Sequence, residues 1–176
     1  AVFPWLSLIV LLPISGALLM PLLPVDSQGS SNSPRNLAIS ILFADFALML
    51  GVFGHLFDPQ KNSLQLIERI NWIPFIGLEW SLGADGISVP LVLLSGLITL
   101  LAAGASWNIQ SKTRLYFALL LVQASAQGLV FLSQDFLLFF LAWELELVPV
   151  YLLIAIWGGN RRLYAATKFI LYTALA

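Results

Sequence analysis

An all-α, polytopic membrane bundle is the fold class this sequence predicts, with five complete transmembrane spans and a shortened sixth. Three observations predict it. Hydrophobic residues make up 60% of the 176 and charged residues only 10%, against roughly 25% charged in a soluble domain. The apolar residues fall in runs close to the roughly 20 residues that a bilayer-crossing helix needs, without the polar stripe of an amphipathic helix. The basic residues also alternate in side: Arg35, Lys112, Arg114, Arg161 and Arg162 fall in loops of one side, and only Lys61 and Arg69 in loops of the other. Cytoplasmic loops carry the excess of Lys and Arg, so the N-terminus is expected on the non-cytoplasmic side.

Phe3–Leu23 forms the first span and contains Pro4, Pro13 and Pro21. It has neither a basic leading region nor an Ala-x-Ala cleavage pattern, so it reads as a retained helix and not a signal peptide. A polar loop over Pro24–Asn36 follows, and then a second span over 37–57. The segment 58–86 is broken by Pro74, Gly77 and Gly83 into short alternating apolar stretches. That pattern predicts a small hairpin lying on the membrane surface, with Trp72 and Trp80 at the interface. Three further spans are expected over 87–107, 115–132 and 136–157. A sixth starts near Leu163 and has about 21 Å of helix before Ala176, too short for a hydrocarbon core of roughly 30 Å. The chain is therefore expected to be part of a longer one.

Composition excludes several classes of function. A net charge of −1 offers no basic surface for nucleic acid, and the absence of Cys removes disulfides and thiolate-held clusters. One His, His55, is too few for a histidine-built metal or haem site, and no Gly-rich fingerprint follows a strand pattern. No metal and no cofactor are expected on this chain.

The carboxylates inside the spans are the candidate functional residues. Glu144 lies about 12 Å into the run "FLLFFLAWELELVPVYLLIAIW" over Phe136–Trp157. An ionised side chain at such depth costs at least about 2.5–3.5 kcal/mol to insert, so it faces protein or water and marks an ion or proton route. Glu146 is two residues away, about 200° around a helix, so the two cannot act as a close carboxylate pair. Glu146 is either a second relay group or a contact to a neighbouring subunit. Pro149 leaves the carbonyl of Leu145 without its helical donor beside both acids. Asp45, midway along the second span, serves either proton transfer or packing. Lys168 either reaches the membrane surface or turns inward to pair with an acid. Gln123 and Gln127, one turn apart, are placed to hold water or to link helices.

The string "LLFFLAWELELVPVYLLIAIWGGNRRLYAATKFILYT" over Leu137–Thr173 resembles the antiporter-like membrane subunits of respiratory complex I, in their cyanobacterial and chloroplast branch. "FPWLSLIVLLPISG" near the start and "LGADGISVPLVLLSGLIT" over Leu82–Thr99 resemble the same family. The resemblance implies that Glu144 is a proton-pathway residue, that Lys168 is the early lysine of the sixth helix, and that Glu146 is less general. It also implies a fourteen-helix fold of two inverted repeats, whose central lysine would lie after Ala176. The expected function is proton translocation in the membrane arm of an NAD(P)H–plastoquinone oxidoreductase of the thylakoid membrane. Quinone, iron–sulfur clusters and electron donor would be bound by other subunits, with the other membrane-arm subunits and the lipid bilayer as partners. The alternatives are a subunit of a sodium/proton antiporter and a scaffold subunit whose acids only fasten helices.

Overall fold

A computed structural model describes residues 4–22, 33–60, 63–106 and 112–175. Six helices run in chain order: α1 (Trp5–Leu19), α2 (Ser33–His55), α3 (Ser88–Ala105), α4 (Thr113–Leu132), α5 (Phe136–Trp157) and α6 (Arg162–Leu175). The first five are long and apolar enough to cross a membrane, α1 with the aid of a 3-10 turn over Met20–Leu22. Between α2 and α3 lie two strands, β1 (Gln65–Ile73) and β2 (Leu78–Ala84). α4 is the central helix, touching α1, α2, α3 and α5, while α6 leans on α5.

One boundary corrects the expectation from sequence. The second helix begins at Ser33, inside the stretch expected to be loop, and ends at His55. Pro34 is its second residue, where a missing N–H costs nothing because the first-turn donors have no partner within the helix. Hydropathy alone does not register that start signal. The rest of the expected 24–36 loop, Lys61 and Trp107 lie outside the described residues.

β1 and β2 pair antiparallel, with Ile70 opposite Trp80 and Arg69 opposite Ser81. Their connection is a 3-10 turn over Pro74–Ile76 closed by Gly77 at φ 75°, a left-handed conformation that glycine adopts without steric cost. Trp72 and Trp80 meet edge to face at 6.0 Å.

This hairpin closes one end of the bundle by supplying or orienting carboxylates at three helix N-termini. Glu68 of β1 accepts from the backbone N–H groups of Leu6 (2.7 Å) and Ser7 (3.0 Å) and from the Ser7 hydroxyl (2.6 Å). Trp80 of β2 donates its indole N–H to the same hydroxyl at 2.8 Å. Pro4 caps α1 with no side-chain hydrogen bond of its own, so Glu68 satisfies those orphan donors from 62 residues away. Asp135 caps α5 by accepting from Leu138 N–H and also takes the N–H of Glu79 in β2. The α4–α5 link is stitched to β2 by the N–H of Gln134 on the carbonyl of Ser81 at 2.7 Å.

Asp85 is the third. Its Oδ1 accepts from the N–H groups of Ile87 (2.9 Å) and Ser88 (2.8 Å), and the Ser88 hydroxyl accepts from Asp85 N–H. The Ser88 backbone N–H, followed by Ile87, holds the Asp85 carboxyl below its ordinary value of 3.8. A depressed folded-state pKa contributes stability that is present above the unfolded value and lost as pH falls through the folded one. Asp85→Asn is therefore expected to lower the stability slightly at neutral pH, by about 0.5 kcal/mol for so open a group, read as a small drop in the thermal midpoint. The gap between variant and wild type should close on acidification below the aspartate range. A gap that is constant with pH would contradict this role.

Two apolar clusters fill the bundle, one at the hairpin end (Leu6, Val10, Met49, Val92, Leu129) and one at the opposite end (Ala17, Leu42, Ala103, Leu121). Between them three helices each present a buried polar residue: Asp45 of α2, Thr99 of α3 and Ser125 of α4. At 1.5 Å per residue, all three lie about 10–16 Å from the hairpin end of their helices.

Candidate proton site

α5 carries both glutamates, and the fold assigns them to different surroundings. Glu146 faces α4. Its Oε1 accepts from Gln123 Nε2 at 3.4 Å, and Gln127 lies within hydrogen-bonding reach of the same carboxylate. The Gln127 Oε1 in turn accepts from the Ser95 hydroxyl of α3 at 2.8 Å. One turn further along, the Thr99 hydroxyl donates to the Ser95 carbonyl at 2.8 Å. A polar crossbar thus joins α5, α4 and α3 inside the bundle.

Glu146 also borders a cavity of about 270 Å³ between α4, α5 and α6, walled by Val130, Phe131, Trp143 and Phe169. A larger groove of about 520 Å³ lies between α1, α4, α5 and the hairpin, but no carboxylate lines it. Size does not mark the site here; the position of the acid does.

Glu144 is half-buried and hydrogen-bonds to no described residue. Its neighbours along the same stripe, Phe140, Leu141 and Val148, are 50%, 45% and 49% exposed. Leu141, at one edge of that stripe, lines the groove shared with α1 and α4. Lys168 is exposed on α6, 5.9 Å from the centre of the Tyr164 ring, and it forms no ion pair with either glutamate. The structure therefore does not bring Glu144, Glu146 and Lys168 together.

Asp45 is 3% exposed, and its Oδ1 has no hydrogen-bond partner among the described residues. Gly96 of α3 packs against Phe46 and Met49, which sets the Ser95–Thr99 turn beside the Asp45 turn. Gln123 and Gln127 were legible as helix-linking candidates from their spacing. Ser95 was not: a single serine in an apolar helix carries no signal until the facing glutamine is known.

Residues 133–176 match the family model for the transmembrane region of NADH:quinone oxidoreductase and Mrp antiporter subunits. The chain is homologous over nearly its whole length to NAD(P)H-quinone oxidoreductase chain 4 of cyanobacteria. It is 55% identical over 174 residues to that protein of Nostoc sp. and 58% identical over 174 residues to that of Synechococcus elongatus. In each case 99% of this chain is covered and 32% of the relative, so the chain spans about a third of the relatives' length. A chain of respiratory complex I from Thermus thermophilus, solved with bound NADH, superimposes with a TM-score of 0.78 at 26% identity. That match covers 97% of this chain and 33% of the other.

Proposed function

We propose that this chain is the N-terminal part of a proton-translocating membrane-arm subunit of an NAD(P)H–plastoquinone oxidoreductase of the thylakoid membrane. The supporting observation is identity of 55% or more along 174 residues to cyanobacterial chain 4 proteins. Electrons pass to quinone on other subunits, which hold the iron–sulfur clusters and the electron donor, and the released energy drives protons through the membrane arm. The N-terminus and the hairpin face the lumen, in keeping with the distribution of Lys and Arg.

Glu144 is the proton-pathway residue of this reading. Its open stripe on α5 fits cover by helices from the rest of a chain about three times as long. A lysine placed there would tune the carboxyl, favouring its charged form on approach and its neutral form on withdrawal. Lys168 of α6, which pairs with neither acid in this structure, is a secondary candidate for that tuning role.

The rival sodium/proton antiporter reading shares the fold but needs no redox partner. Vesicles bearing the assembled complex, given quinone and a reduced donor, are expected to take up protons equally well with and without sodium. Sodium-driven proton exchange in the absence of quinone would contradict the proposal.

A further inference from the structure

Glu146 has a setting that the pathway through Glu144 does not use. It lies ten residues into α5, about 15 Å from the helix start and so near the middle of a roughly 30 Å core. An acid at that depth is costly unless neutral or well partnered. Its hydrogen-bond partner is the Gln123 amide of α4, and Gln127, one turn on, lines the same cavity and is braced by a hydroxyl from α3. Because the Ser95 hydroxyl occupies the Gln127 oxygen, the Gln127 amide N–H₂ is left to donate toward Glu146. Donors of this kind hold a carboxylate in place without neutralising it.

Glu146 and Gln127 together border the cavity between α4, α5 and α6. Its volume of about 270 Å³ accommodates several water molecules, each taking roughly 30 Å³ in the liquid. Glu146 is the one titratable side chain lining it among the described residues. Lys168, the nearest lysine on α6, points to the exposed face against Tyr164. No titratable side chain of α4 lines the cavity. Thr173 of α6 supplies a hydroxyl to its wall.

We propose that Glu146 is a second proton-holding site, distinct from Glu144. It is loaded from the α4–α5–α6 cavity and held in register by Gln123, Gln127 and Ser95. The glutamines and the serine are positioning residues, and the carboxyl carries the proton. This inference rests on the proton-translocating reading above. It adds a branch on the face of α5 opposite Glu144, so that a proton on one acid need not pass directly to the other.

Infrared difference spectroscopy of the purified complex, titrated with pH in H₂O and in D₂O, tests it. The neutral carboxylic acid gives a carbonyl band that moves on deuteration. One such band is expected to vanish in Glu146→Gln and to persist in Glu144→Gln. In Gln127→Leu and Gln123→Leu, which retain the acid, it should shift in frequency and in titration midpoint. Wild-type proton uptake in Glu144→Gln with these band changes intact would remove the reading of Glu144 but leave this one standing. A spectrum unchanged by Glu146→Gln, or a Glu146 band unmoved by both glutamine variants, would overturn it. If Glu146→Gln does not assemble, the two leucine variants decide the matter by themselves.

Discussion

Glu68→Leu is expected to loosen the hairpin end of the bundle and to lower the yield of assembled protein. The carboxylate takes three hydrogen bonds from the first turn of α1, two of them from backbone donors that have no helical acceptor. Hydrogen bonds to a charged group contribute about 1.5–3 kcal/mol, and a negative charge at a helix N-terminus adds roughly 0.3–1 kcal/mol. These overlap, so the combined loss is about 2–3 kcal/mol. Glu68→Gln keeps an acceptor and is expected to cost about half as much. Thermal unfolding of the purified protein in detergent reads both variants. The expected order of midpoints is wild type, then Gln, then Leu. Equal midpoints for all three would mean that α1 is held by its packing alone.

Glu144→Gln is expected to remove this subunit's share of quinone-coupled proton translocation while leaving assembly unchanged. The substitution keeps the shape of the side chain and removes only its titration. The stripe around Glu144 is open in this structure, so little packing is at risk. If the open stripe of α5 is where the rest of the subunit docks, Glu144 is enclosed there, and an amide in its place blocks transfer. Lys168→Met should have a smaller effect, because Lys168 is exposed and pairs with neither glutamate.

Much of this fold was readable from sequence, because a bilayer leaves few choices. Long apolar runs must become helices, since each backbone polar group needs a partner inside its own segment. Pro74 and Gly77 likewise announce the turn between β1 and β2. The start of α2 was missed because Ser33-Pro34 is a helix start written in polar residues. The cap at Glu68 was not legible either, as it depends on a hairpin folding back over a helix distant in sequence; Asp135, directly before the apolar run of α5, caps its own helix locally.

The candidate site divides in the same way. A spacing of two on a helix already separates Glu144 from Glu146. Which of them faces the bundle depends on where α4 lies, and no pattern within α5 contains that. The pair Gln123 and Gln127 showed one polar stripe on α4, but its partners, Glu146 on one side and Ser95 on the other, appear only when three helices are packed together.

The most direct test is the number of protons taken up per electron delivered to quinone, measured in proteoliposomes with the assembled complex carrying wild-type or Glu144→Gln subunit. The account predicts a lower ratio in the variant, by the share this subunit contributes, with quinone reduction still occurring when a protonophore is added. An unchanged ratio in a fully assembled Glu144→Gln complex would contradict it.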